Sequence, residues 1–313
     1  MLVTNGPSYD ELIRSRLKEN AAVNEAMRQD RDLVAEIEKI WWENASGGNW
    51  TRASNWSGDR VPRSGDTVVV RLAGEYTVLA ESRDTLSMGS LEFGTVDSST
   101  TQTLSIESTY FRVEGFGAVH PSGVIQVDSG GTYGGNGLLF VVGGQVHVIG
   151  GSWETNTSLD SGAFVFTGAQ PKTLKAATIV GNGGSMIWRS ADTLLVFGDS
   201  ASIYLSGSEF VVQDTLTILG GLSSYGLVVD SAARIVFTAD SASSTYLQMN
   251  GIPVVVNGEI AIEASSEPPP GTVFDLIRLI GDGTMTGTPT LVTSGYTLEV
   301  NPVAGVGLRV IKN

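Results

Sequence analysis

Short apolar bursts recur about every eight to ten residues between Gly162 and Ile262, each closed by a polar turn. In order they read Phe164-Val165-Phe166, Thr178-Ile179-Val180, Met186-Ile187-Trp188, Leu194-Leu195-Val196-Phe197, Ile203-Tyr204-Leu205 and Phe210-Val211-Val212. Then come Leu216-Thr217-Ile218-Leu219, Leu227-Val228-Val229, Ile235-Val236-Phe237, Tyr246-Leu247, Val254-Val255-Val256 and Ile260-Ala261-Ile262. The bursts are rich in β-branched and aromatic residues, too short for helices, and separated by Gly, Asp, Ser and Asn, so each predicts a strand. Even spacing over a hundred residues is the signature of a repeat architecture. With three strands per turn, the spacing predicts coils of about 24 to 30 residues whose stacked interiors form one continuous core.

Upstream the period changes. Leu12, Ile13, Leu17, Val23, Met27, Leu33, Val34, Ile37, Ile40 and Trp41 recur at three-to-four residue steps with no Pro or Gly inside, predicting a helical segment over residues 8–43. Ser8, Asp10 and Glu11 suit its N-terminus. If continuous, it is a rod of roughly 50 Å. A heptad begun at Ile13 places Asn20, Asn24, Arg31 and Glu38 in the seam, so the stripe fits either two shorter packed helices or a trimeric bundle. Leu12, Ile13, Leu17, Val23, Met27, Val34, Ile37 and Trp41 are its anchoring candidates.

Residues 44–70 carry Gly47-Gly48-Asn49-Trp50, Ala53-Ser54-Asn55-Trp56, Val61-Pro62 and Gly65-Asp66 leading into Thr67-Val68-Val69-Val70. Two indoles can cover the open end of a first coil while their N–H groups reach turn carbonyls. The chain here resembles the passenger-type β-helix domains of autotransporter-like bacterial surface proteins and of some phage fibres. The end is similar too, with Gly271-Thr272-Val273-Phe274-Asp275-Leu276-Ile277, Gly287 and a closing Tyr296-Thr297-Leu298-Glu299-Val300. The resemblance spans residues 47–313 and implies a mainly β fold, a right-handed parallel β-helix (β-solenoid), here with an N-terminal α-helical segment. It brings no catalytic residues. The expected division is residues 1–43 for attachment or oligomerisation, 44–70 as the Trp-containing cap, 71–264 as the solenoid body and 265–313 as capping strands. Pro268-Pro269-Pro270 breaks the rhythm before that last part.

The glycine-rich run Gly130-Gly131-Thr132-Tyr133-Gly134-Gly135-Asn136-Gly137 leads into a strand and not a helix, which makes it a corner and not a phosphate cradle. Asp-Ser pairs recur at turns, among them Asp128-Ser129, Asp160-Ser161 and Asp230-Ser231, where side chains can close turns on backbone N–H groups.

Composition narrows the classes. The 39 glycines fit many tight turns, and 41% hydrophobic content suffices for a sizeable core. A net charge of −14 argues against nucleic acid or an anionic membrane as partner. Without cysteine there is neither disulfide nor thiolate metal site. No stretch approaches the ~20 apolar residues of a membrane-spanning helix. Met1 to Asp10 is short and polar where a signal peptide needs an apolar core, and the departure from secreted relatives of the resembled family favours assembly into a virus particle.

Chemistry is sparse. Asp192, Asp199, Glu209, Asp214 and Asp230 are the weak candidates for a glycan-cleaving carboxylate pair, which works across ~5 to 9.5 Å. His120 and His147 lack a nucleophile or ligand pattern, so no metal and no cofactor is expected. Trp153, Trp188, Tyr204, Tyr225 and Tyr246 are candidates for stacking on sugars. The expected function is a non-enzymatic phage virion protein, a tail or head fibre or spike. Residues 1–43 would bind other virion proteins, and the homotrimeric solenoid would project toward a host glycan or receptor. The alternatives are a polysaccharide depolymerase tailspike and a bacterial surface adhesin.

Overall fold

The computed structural model describes residues 39–313, apart from Ala176, Asn182, residues 190–192, 198–200, 206–207, 213–215, 221–225, Asp230, and residues 240–243, 251–252 and 281–283. The helical prediction over residues 8–38, with its anchors Leu12, Ile13, Leu17, Val23, Met27, Val34 and Ile37, therefore lies outside the described residues. Ile40–Asn313 forms one compact unit, a parallel β-solenoid.

Eleven of the twelve bursts between Phe164 and Ile262 fall wholly in strands, and in Tyr246-Leu247 the strand begins at Leu247. Each coil contributes three. One face is an unbroken column of eleven parallel strands, from Gly48–Asn49 through Tyr76–Glu81 and Gln102–Glu107 to Glu259–Ala264 and Thr290–Leu291. A second column runs from Thr67–Val70 through Ser90–Phe93 and Phe116–Val119 to Pro253–Val256 and Thr284–Thr286. The third runs from Leu86–Met88 and Tyr110–Val113 to Leu247–Asn250 and Val273–Ile280. The coils are less uniform than the spacing predicts. Gln145 lies beside Ala163, a step of 18 residues, whereas Glu209, Arg234 and Glu259 are neighbours at steps of 25. Steps shorten where corners are made of one or two residues, and the sheet register absorbs the difference.

Register makes the core. Val78, Leu104, Ile125, Val146, Phe164, Met186, Phe210, Ile235 and Ile260 stack one above the other on the first face, every one of them buried. Alternation turns the residues between them to the other side of the sheet, where most are partly exposed but Ser105, Val165, Val236 and Ala261 are buried as well. Through this interior runs a chain of rings. Trp50 meets Phe111 edge-on at 4.8 Å, Phe111 meets Tyr133 at 5.8 Å, and Tyr133 stacks on Trp153 at 4.5 Å with the planes 9° apart. Trp153 meets Phe164 at 5.1 Å, and Phe166 meets Trp188 at 5.4 Å. Among the described residues, the charged side chain of Lys172 enters the same interior. Lys172 is fully buried, donating to Gly168 O and Gln170 O at 2.7 Å each with its ammonium 5.5 Å from the Trp188 ring centre. Burial pulls that ammonium from its usual 10.5 down to about 8.

The N-terminal end differs from the sequence reading at residues 39–43. Lys39–Trp41 is a strand and not the end of a helix, because Ile40 and Trp42 alternate inward (2% and 3% exposed). Trp41, grouped above with the helical anchors, points outward and is 45% exposed. Trp42 N–H donates to Val69 O, which extends the sheet. Trp42, Trp50 and Trp56 then close the first coil as a triple-indole lid, with Trp56 edge-on to both others at 4.9 and 4.6 Å. Trp56 Nε1 donates to Trp50 O and Trp42 Nε1 to Asn44 O. The paired asparagines hold the turns, Asn55 Nδ2 donating to Asn49 O and Asn44 Nδ2 to Asn55 Oδ1.

At the other end the parallel stack runs on past residue 264, to Thr290–Leu291. Val306–Lys312 then pairs antiparallel with Val273–Ile280, and Tyr296–Val303 pairs antiparallel with Val306–Lys312. This hairpin covers the last edge of the third column, the device that stops further strands from adding there.

Candidate functional site: a polar groove over three coils

A concave polar surface lies on the outer wall, a groove of about 480 Å³ lined by Tyr110, Arg112, Gly135, Asn136, Glu154 and Asn156. It is built by alternation. In Tyr110–Val113 the side chains of Phe111 and Val113 go inward, so Tyr110 and Arg112 go outward. The next coil sets Gly134 beside Arg112, and the coil after sets Glu154 beside Gly134. Because Gly134 has no side chain, the Tyr110 phenol lies across it, with ring carbon Cζ 2.9 Å from where a Cβ would stand. The phenol thus spans two coils and donates to Glu154 Oε2 at 3.1 Å. Burial, reinforced by the Glu154 charge, raises the Tyr110 pKa.

The corner beyond Gly134 supplies the groove's wall. Between Gly134 and Leu138 the strand shifts register, and the extra residues bulge outward with Asn136 exposed at their tip. Gly135 adopts φ +137°, and a Cβ on either Gly135 or Gly137 would run into backbone carbonyls of the coil below. Asn156 Oδ1 accepts from Thr178 N–H at 3.0 Å, which turns its amino end away from that bond. Charges balance locally. Glu154 Oε1 lies 3.6 Å from Lys175 Nζ, and Arg112 Nε lies 3.7 Å from Glu114 Oε1.

Sequence reasoning missed all of these residues, reading Gly134–Gly137 only as a corner. The available signal was register: aligning coils on their buried positions puts Arg112, Gly134 and Glu154 in one outward row. The residues it did favour are distributed otherwise. Trp153 and Trp188 are fully buried in the ring chain, so neither can offer a face to a sugar. Their neighbours alternate outward, and that parity alone sends the indoles in. Tyr204 stands half-buried on Ser202–Leu205 between Val180 and Val228, and Tyr246 lies under the Arg278 guanidinium at 3.9 Å on a different face. Glu209 is paired with Arg234 of the next coil at 3.7 Å, and Arg234 separates it from Glu259. Asp192, Asp199, Asp214, Asp230 and Tyr225 lie outside the described residues.

No protein-family model, curated protein or solved structure matches the chain.

Among the described residues no three His, Asp or Glu side chains converge to hold a metal ion. The two described aspartates of the Asp-Ser turns bond to side chains of sheet residues. Asp128 Oδ2 accepts from Ser105 Oγ and Gln126 Nε2 at 2.9 Å each, and Asp160 Oδ1 accepts from Ser158 Oγ.

His120 and His147 sit on the outer wall and define a pH response. Arg71 Nη2 donates to His120 Nε2, which requires that nitrogen to be unprotonated, and Arg71 also pairs with Glu92 at 3.0 Å. Burial first, then the Arg71 charge, lowers the His120 pKa; burial and the Arg189 charge lower that of His147. Both folded values lie below the ordinary 6.5, so below pH 6.5 the unfolded chain takes up protons that the folded coil refuses. Stability should fall as pH drops through 6.5 and level off once both folded values are passed. Thermal melts from pH 8 to pH 5 check this, with His120→Gln and His147→Gln flattening the upper part of the curve.

Proposed function

We propose that the chain is a non-enzymatic structural protein of a phage virion, a right-handed solenoid rod that carries a host-contact surface outward from the particle. The observation that supports this most is the unbroken column of eleven parallel strands, which at a spacing of about 4.8 Å makes a rod of roughly 50 Å. Indoles close one end and an antiparallel hairpin the other. Such a body is suited to holding a surface at a distance. Right-handedness follows from the strong preference of parallel β connections for that hand. A non-catalytic role fits two of the carboxylates on the described wall, Glu209 held by Arg234 and Glu154 held between Tyr110 and Lys175. Residues 1–38 are the proposed attachment segment, helical and bound to other virion proteins, and the assembled form is proposed as a homotrimer.

Light scattering on the full chain tests the assembly. Three times the chain mass of 32.9 kDa is the expected result, and a variant lacking residues 1–38 then reports whether that segment or the solenoid holds the trimer together. A monomer at micromolar concentration would sink the self-assembled fibre. Release of reducing ends from a capsular polysaccharide would instead make the protein a depolymerase.

A further inference from the structure

We propose that the groove over Tyr110, Arg112, Asn136, Glu154 and Asn156 is a binding site for a neutral saccharide. The proposal stands on the groove alone and holds whether the rod is carried by a particle or by a cell.

The chemistry of the lining selects the ligand. The lining holds one cation, Arg112, and one carboxylate, Glu154, and their ion-pair partners Glu114 and Lys175 cancel as well, so the groove carries no net charge. An anionic ligand would meet the Glu154 carboxylate on a chain of net charge −14, and a cationic ligand would meet Arg112. An apolar ligand would strip water from the Asn136 and Asn156 amides and the Glu154 carboxylate without replacing the bonds. What remains is an uncharged molecule with donors and acceptors side by side on a compact frame. Vicinal hydroxyls meet that description. Arg112 and the amino end of Asn156 donate, Glu154 accepts, and Asn136 does both. The Tyr110 ring gives the floor an aromatic patch of the kind that packs against the C–H face of a pyranose.

The site is also built in advance. Glu154 is fixed from two sides by Tyr110 and Lys175, Asn156 is fixed by the Thr178 amide, and Gly134 leaves the space that the phenol fills on its way to Glu154. These partners sit on sheet strands, where the cost of ordering side chains on binding is small. The volume of about 480 Å³ falls inside the range of about 300–1,000 Å³ for small-ligand sites.

Saturation-transfer NMR and titration calorimetry on the full chain are the test. The probes are galactose, glucose, N-acetylglucosamine and their di- and trisaccharides, with glucuronic acid as the charged comparison. At least one neutral probe should bind with a Kd of about 1 mM or tighter. Asn156→Ala and Glu154→Ala should each weaken it about tenfold or more, Glu154→Ala at unchanged melting temperature and Asn156→Ala with a small loss of stability, because it leaves the Thr178 N–H without its acceptor. Glu263→Ala, exposed on the strand Glu259–Ala264 of another coil, should leave binding intact. The proposal is overturned if no neutral probe binds, if glucuronic acid binds more tightly than every neutral probe, or if binding survives both groove substitutions.

Discussion

Trp153→Ala is expected to destabilise the solenoid by about 3–5 kcal/mol, the range for deleting a large buried aromatic. Trp153 is fully buried, stacks on Tyr133 and meets Phe164 edge-on, so it joins the third column of strands to the first across the interior. Its Nε1 donates to Thr157 Oγ1 at 2.9 Å and to Thr155 O at 3.1 Å, and truncation leaves both without that donor. Collapse cannot fill the space, because the rings above and below are held by their own coils. Coils stabilise one another only through neighbours, so a void at one level weakens the coupling of the whole stack. Urea unfolding followed by circular dichroism measures the loss. The adjacent Glu154→Ala points the other way and should change stability by no more than about 0.5 kcal/mol. Equal effects from the two substitutions would mean that the strand is out by one residue, since a slip of one exchanges the two faces.

Gly137→Ala comes next in size, with an expected loss of about 3 kcal/mol or more. A Cβ at that position would overlap the Gly115 carbonyl oxygen of the coil below, and the obstruction is backbone and not a side chain that can turn aside. Gly135 repeats the problem against Val113 O, at φ +137°. The two glycines let the bulge of one coil settle onto the corner of another, with Asn136 at the tip. Asn136→Ala tests the difference, because it changes the groove without touching the stacking and should melt with the unsubstituted protein. If Gly137→Ala also melts normally, the corner is looser than the close approach requires, and Asn136 loses its fixed place on the groove wall.

Both predictions separate what was legible in the chain from what was not. The twelve bursts, their three-per-coil arrangement, the indole lid and the closing hairpin could all be read along the sequence, because each depends on local alternation or on turn residues. The end of the helical pattern was misread at residues 39–43 for a related reason. Ile40 and Trp41 continue a three-to-four residue step, but Ile40 and Trp42 satisfy a two-residue step as well, and pairing with Thr67–Val70 selects the second. Sequence spacing carries both periods, and only a neighbouring strand chooses between them. Trp153 and Trp188 were offered as sugar platforms because an indole is suited equally to a core and to a sugar; parity along the strand places them inside.

The sequence by itself determined the kind of object this is, a stack of short parallel strands closed at both ends, because burial of alternate residues is a local instruction repeated coil after coil. The groove was decided only by tertiary structure. Tyr110, Asn136 and Glu154 are far apart along the chain, and they meet through coil steps of unequal length. The step from Arg112 to Gly134 is 22 residues and that from Gly134 to Glu154 is 20. Which outward residues become neighbours depends on those lengths, and the lengths are set by how each corner packs on the one beneath it.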